Sequence, residues 1–366
     1  MRENFTGPSY TVGIEEELMI LDGDTYELVN AIESLLEDAE QGEVKPELME
    51  SVLEIATKPC DNAGDAGGQL RALRRHVRHT AEGRDLCIGS AGTHPFAMWE
   101  HQRIVSRPRY RDLLSALGFV ARQELIFGMH VHVALDDPEK AIYVANGMRL
   151  HVPVLVALSA NSPFWRGEPT GLLSCRTPIF RTFPRVGMPP AWADFADYES
   201  KVDFMVRSGV IEDYTFLWYD VRPHPKFGTV EVRCCDSQTR VEHTIALTAL
   251  IQAMIRELVE DFAAGAPLPD YPWQMLDENK WLAARHGLDR DLVDLPSSDR
   301  VGTKALVERL LARLAPHAQD LRSADALEGI ADLLERGNGA TRQLAVYDST
   351  RDMADVMAEI VEATAA

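Results

Sequence analysis

Carboxylates stand in this sequence where a β-strand should be apolar. In VGIEEELMIL, residues 12–21, Glu15, Glu16 and Glu17 interrupt a run of valine, isoleucine and leucine. Strand side chains alternate with a period of two, so Glu15 and Glu17 share one face and Glu16 takes the other. Two carboxylates side by side in a sheet repel each other and lose solvation, and a hard dication offsets both costs. An edge strand with one wet face would also tolerate them, so this segment alone does not decide.

Three further segments repeat the pattern. In PELMESVLEIAT, Glu54 lies inside the apolar run 52–55, with Glu47 seven positions earlier. In GMHVHVAL, His130 and His132 share a face opposite Met129, Val131 and Val133. In GTVEVRCCD, Glu231 and Arg233 share a face between Val230, Val232 and Cys234. Read singly, each is a satisfied polar group on a half-exposed sheet. Together they imply a sheet whose polar face lines a cavity, gathering Glu15, Glu17, Glu47, Glu54, Glu231, two histidines and an arginine. Oxygen-rich ligation of this kind suits magnesium or manganese rather than zinc. Several such ions beside an arginine make a phosphoryl-transfer site, the cations bridging a polyphosphate and the arginine holding the phosphate in transit.

The elements that must position these groups are legible from periodicity. Strands are expected at 11–21, within 44–57, twice within 119–135, and twice across 215–235 about a turn at 223–228. The spacing of Leu70, Leu73, Val77 and Ala81 predicts a helix over 63–84. Residues 138–159 are too densely apolar for a surface helix, and 240–263 is strongly helical in period. Residues 161–190 hold six prolines and three glycines, with Arg166, Arg176, Arg181 and Arg185. A long excursion of this sort is often functional, and it is the candidate cover for the site. From about residue 275 the chain reads as helical. The fold class is therefore α+β: antiparallel strands flanked by helices, in one catalytic domain over residues 1–366 with a helical extension. Strand–helix alternation is absent, as are GxGxxG and GxxxxGK[ST], so any nucleotide is held another way.

Composition narrows the partners. The 366 residues are 46% hydrophobic and 26% charged, ordinary for a globular enzyme. Acidic residues outnumber basic ones 57 to 37, a formal net charge of -20. That field repels nucleic acid and anionic membranes, and it repels ATP unless local arginines or cations reverse the sign. The first residues lack the apolar core of a secretory signal, and the nearly apolar stretch 152–160 is too short to span a bilayer. Five scattered cysteines form neither a disulfide framework nor a metal knuckle. A cytoplasmic protein with reduced thiols is expected, with no nucleic-acid or membrane partner. A homo-oligomer is compatible with this composition.

The strings TVGIEEEL, PELMESVLEIAT, FGMHVHVAL, LSANSPFWRGEPTGLLSCR, GTVEVRCCDSQT and ENKWLAARHGLDRDL run in order from residue 11 to 292. In these the chain resembles the glutamate–cysteine ligase type 2 family, also called carboxylate–amine ligases, with a glutamine synthetase-like fold. The resemblance implies an antiparallel sheet curled into a funnel lined by metal-binding acidic residues. It implies metal ligation by Glu15, Glu17, Glu47, Glu54, His130 and Glu231, and places His132 near the nucleotide phosphates. Arg233 would meet the transferred phosphate, and Arg176 would reach a substrate carboxylate or phosphate. Arg166, Lys280 and Arg285 are further candidates for substrate or nucleotide contact. The implied reaction couples L-glutamate to L-cysteine through an acyl phosphate, with magnesium (or manganese) and ATP, in thiol synthesis of the glutathione type. The same chemistry on another acid and amine is the alternative. A metal-dependent hydrolase or phosphotransferase, and a non-enzymatic nucleotide-binding protein, stand further off.

Overall fold

The computed structural model describes residues 1–37 and 44–365. Seven strands form one open antiparallel sheet: β1 (Val12–Asp22), β2 (Val44–Pro46), β3 (Val52–Ala56), β4 (Leu86–Gly89), β5 (Gly128–Ala134), β6 (Val221–His224) and β7 (Thr229–Asp236). The spatial order is β6-β7-β5-β1-β3-β2. The long strand β1 is the hub: β5 pairs with its first half, β3 with its middle and β4 with its end.

Six helices matter for the site: α1 (Ala63–Glu82), α2 (Pro138–Met148), α3 (Val152–Ser159), α4 (Arg176–Phe180), α5 (Val241–Ala263) and α6 (Trp273–His286). Ile14, Leu18, Ile55, Val131, Val133, Val230 and Val232 form the apolar face of the sheet and are wholly sequestered in the main core. Helices α1 and α5 pack against that face. Further helices pack around α5, so it is apolar on nearly every side and buried along most of its length.

The three consecutive glutamates of β1 meet two different fates. Glu16 points into the core, fully buried, and Arg74 of α1 grips it through Nε and Nη2 at 2.8 Å each. Thr244 of α5 donates to the same carboxylate, and Arg74 also donates to the carbonyls of Gln238 and Thr239. One buried ion pair thus ties two helices and the segment after β7 to the hub strand.

Strand β7 contains a bulge. Val232 pairs with Val131 and Cys235 with Met129, so three steps along β7 match two along β5. The Arg233 amide turns instead to the carbonyl of Asp220 at 2.8 Å. Beyond the bulge Asp236 is buried. It accepts hydrogen bonds from the Asn161 amide and from the hydroxyls of Ser162 and Ser174. The proline-rich excursion is therefore fastened to the sheet as a wall, and only Arg176, Phe180 and Phe183 of it reach the central cavity.

The α+β antiparallel architecture matches the expectation, with local departures. The strand expected within 44–57 is two, and Glu47 sits in the turn between them. Only one strand occupies 119–135, because Gly118 at φ 55° closes one helix and opens another turn at Phe119–Arg122. The apolar stretch 138–159 is broken into α2 and α3, bent by 62°, with Pro153 in the first turn of α3 where its missing N–H costs nothing. The tail is not all helical, since Asp291–Asp294 and Asp299–Gly302 form a hairpin. Among the described residues no single helix is long and apolar enough to cross a membrane, and all five cysteines are free.

Arg74→Met should strand a buried carboxylate and cost about 3–5 kcal/mol. Arg74→Met with Glu16→Leu should recover most of that loss. Urea denaturation of the wild type and the two variants would measure both effects; equal stability of all three would mean that the pair contributes nothing.

Candidate active site

In an antiparallel sheet, directly opposed residues share a face. The register opposes Glu15 to His130, Glu17 to Glu54, His132 to Glu231, Lys45 to Glu54, and Arg222 to Glu231. Period-two alternation thus puts the whole set opposite the apolar core. All of these groups, with Glu47 and Arg233, line one cavity of about 380 Å³.

At the centre, ligand atoms of Glu15, His132 and Glu231 lie within 4.8 Å of one another. His132 Nδ1 is 3.0 Å from Thr229 Oγ1, while its Nε2 has no hydrogen-bond partner and stands 3.7 Å from Glu15 Oε2 and 3.9 Å from Glu231 Oε1. A hydroxyl on one ring nitrogen, with the other facing carboxylates, is how a metal-binding histidine is set. His130 Nδ1 also approaches Glu15, at 3.4 Å. The structure therefore brings both histidines to Glu15, with His132 rather than His130 in the tightest group.

Glu231 is held by two arginines. Arg222 donates through Nε at 2.6 Å, Arg233 makes a short contact to Oε1, and Arg222 is itself locked to the carbonyls of Leu217 and Thr215. Burial alone would raise the Glu231 carboxyl, but these guanidinium charges hold it well below the usual range. Glu15 behaves likewise: burial opposes its ionisation, and the hydrogen bonds and charges of His130 and His132 outweigh that.

The other side of the cavity is under-neutralised. Burial, then the charges of Glu54 and Glu17, push the Glu47 carboxyl well up. Glu54 is pushed up to about 7 by burial and by Glu15, although Lys45 Nζ lies 2.8 Å away and opposes the rise. Lys45 is also 3.7 Å from Glu15, and its side chain is 42% exposed. An ammonium thus stands among carboxylates that still carry too little positive charge. The donor set fits a hard cation by number, type and electrostatics.

At one end of the cavity Phe227 is 54% exposed, stacked on His224 at 4.4 Å and edge-on to His132. At the other end Arg176 is buried. Its guanidinium passes over Gly128, where any Cβ would clash with Nη2. Three expected contacts lie elsewhere. Arg166 pairs with Glu100 at 2.9 Å, Lys280 is buried in a pair with Asp220 at 2.6 Å, and Arg285 is exposed. None of the three lines the cavity. Sequence reasoning missed Arg222, Lys45 and Glu124. Arg222 carried the usable signal, a charge alternating with Val221 and Pro223 in a strand.

Residues 11–363 match the model of the glutamate–cysteine ligase family 2 (GCS2). The chain belongs to this family. A relative from Rubrobacter xylanophilus, provisionally named glutamate–cysteine ligase 2-1, is 45% identical over 359 residues, covering 97% of this chain and 95% of that one. A Sorangium cellulosum protein, provisionally named glutamate–cysteine ligase 2, is 40% identical and covers 98% and 97%. The fold is similar to that of Francisella tularensis glutamate–cysteine ligase, solved in complex with AMP. The TM-score is 0.71 at 15% identity, over 99% of this chain and 90% of that one. It is also similar to a bifunctional glutathione synthetase of Pasteurella multocida, at a TM-score of 0.67 and 13% identity, over 98% of this chain and 52% of that one. This family member is an ATP-dependent ligase of the glutamate–cysteine ligase type.

Glu54→Gln separates repulsion from support. The ordinary carboxyl value is 4.5 and the folded one about 7, so the folded state holds this proton more tightly than the unfolded chain. The resulting penalty is absent below about pH 4.5, grows between the two values and is complete above about pH 7. Without metal, the variant should melt above wild type at pH 8, and the gap should narrow toward pH 5. Magnesium with ATP should raise the wild-type melting temperature and raise that of the variant much less. Superimposed melting curves under all conditions would make Glu54 an ordinary glutamate.

Proposed function

We propose that this protein joins the side-chain carboxylate of L-glutamate to the amino group of L-cysteine, with ATP as phosphoryl donor. The observation that carries the reading is one cavity in which Glu15, His132 and Glu231 converge within 4.8 Å beside Arg233, with Glu17, Glu47 and Glu54 across from them. The donor set suits magnesium, or manganese, held by these carboxylates with His132 and His130. Such ions would neutralise the polyphosphate and the charge that develops on the transferring phosphoryl group.

The chain's own groups divide the remaining work. Arg233 has an unpartnered Nε on the cavity side of β7 and would hold the phosphoryl oxygens as the substrate carboxylate attacks phosphorus and ADP leaves. Arg222, locked to backbone carbonyls, keeps Glu231 ionised and in place. The exposed face of Phe227, backed by His224, offers a stacking surface for a purine at the His132 end. Arg176, buried behind Arg233, suits a substrate carboxylate. The wall fastened to Asp236 shelters an acyl phosphate from water while the amine attacks its carbonyl carbon and phosphate departs.

An ATP-dependent coupling screen tests the pair of substrates. Glutamate and cysteine with ATP and magnesium should yield a γ-glutamyl dipeptide, ADP and phosphate in equal amounts, read by product mass. Turnover confined to another acid and amine would replace the named reaction and keep the chemistry. Arg233→Lys retains the charge but loses the planar fork. It should reduce turnover by about 100-fold or more, the scale of losing one aligned transition-state donor. Its melting temperature should be nearly unchanged. Wild-type rates in that variant would remove Arg233 from the reaction.

A further inference from the structure

Lys45 belongs to β2, a three-residue strand at the edge of the sheet, and its side chain reaches back into the cavity. It stands opposite Glu54 in the strand register, and its Nζ donates to Glu54 Oε1 at 2.8 Å. The same Nζ lies 3.7 Å from Glu15 Oε1. The other oxygen of Glu15, Oε2, is 3.4 Å from His130 Nδ1 and 3.7 Å from His132 Nε2. Glu15 therefore faces two cation positions, one on each oxygen. Histidines border the first, and an ammonium takes the second.

The two ends of the cavity hold their cations differently. Arg222 is buried and tied to the carbonyls of Thr215 and Leu217, so it cannot leave Glu231 without breaking those bonds. Among the described residues Lys45 Nζ has one hydrogen-bond acceptor, Glu54, and the side chain is 42% exposed on a flexible four-carbon stem. Burial works against its charge, and Glu54, Glu15 and Glu47 outweigh that and keep it an ammonium. A divalent ion shared by Glu15 and Glu54 would claim the space that this ammonium takes, and two cations so close repel strongly. One of them must yield.

We propose that Lys45 is a resident cation that competes with the divalent ion for Glu15 and Glu54 and gives up its place when that ion arrives with the nucleotide. The inference rests on reading the cavity as a metal–nucleotide site, and it adds how that site is loaded. Lys45 displaced by a free ion loses two carboxylates and gains no anion in exchange. Displaced by an ion that comes with a polyphosphate, it gains charge-assisted hydrogen bonds to phosphate oxygens. Tight loading of the ion is therefore conditional on the nucleotide. Until then the lysine offsets part of the repulsion among the carboxylates around it.

Manganese serves as the probe, because the free hydrated ion is counted directly by electron paramagnetic resonance. Its affinity for the nucleotide-free protein is compared in wild type, Lys45→Met and Lys45→Gln. The affinity of the same three proteins for the magnesium complex of a non-hydrolysable ATP analogue is measured by calorimetry. Without nucleotide, both variants should bind manganese about 10-fold more tightly than wild type, the modest scale of removing a half-exposed like charge. Both should bind the magnesium–nucleotide complex about 10-fold more weakly, having lost a charge-assisted contact to phosphate.

Manganese affinity that is unchanged or weaker in the variants would overturn the competition and make Lys45 a support for the carboxylates. Tighter manganese with an unchanged or improved nucleotide affinity would overturn the exchange onto phosphate, and conditional loading with it. A wild type that takes up no manganese in either state would overturn the metal reading of the cavity together with this proposal. Opposite shifts in a protein that makes no amide from any acid and amine would keep the exchange and overturn the ligase reading.

Discussion

Like charges packed on one face of a sheet govern this structure. Glu15, Glu17, Glu54 and Glu231 sit on neighbouring strands, with Glu47 at the turn beside them. Two unit charges about 4 Å apart repel by about 4 kcal/mol at the effective dielectric of a partly solvated site. No single pairing relieves that, and the relief is uneven. Around Glu231 two arginines over-supply positive charge, whereas Glu47 and Glu54 share one half-exposed lysine. The imbalance has a direction, from a cationic end rich in fixed donors to an anionic end still short of cations. A polyphosphate with its divalent ions complements such a gradient better than either would alone.

Holding that face together is the task of the opposite face. The sheet can carry a charged cavity because its other side is uniformly apolar and covered by α1 and α5. Even there, one charge is retained. Glu16 meets Arg74 and Thr244 in a pair whose extra hydrogen bonds run to the segment following β7. The core ion pair and the cavity carboxylates are thus consecutive on one strand, so a shift in β1 would disturb both.

Much of this was legible in the sequence, for a plain reason. A charged residue inside an apolar strand is visible without a structure, and a period of two assigns it a face. That logic found Glu15, Glu17, Glu54, His130, His132, Glu231 and Arg233, all of which line the cavity. It failed where the signal was not periodic. Glu124 lies in a connection with no alternation to violate, and Lys45 in a strand of three residues too short to show a pattern. Lys280 and Arg166 failed in the other direction. A cation in a conspicuous string attracted attention, but its partner, Asp220 or Glu100, is distant in sequence and visible only once the chain is folded. Broken regularity misled the element boundaries too, since neither Gly118 nor the hairpin after α6 announces itself by hydrophobic spacing.

The bulge in β7 has a consequence for how this chain can vary. Glu231 before it and Arg233 within it face the cavity; after it, Asp236 pairs with Gly128 and faces the same side. Without the extra residue, odd and even positions would keep their parity and Asp236 would point into the hydrocarbon interior. A single strand therefore serves two reading frames, one for the chemistry and one for the wall that encloses it. Its length at this point is quantised: losing or gaining one residue would exchange inside for outside in everything downstream. The connections carry no such restriction, since there the chain can lengthen without a change of frame.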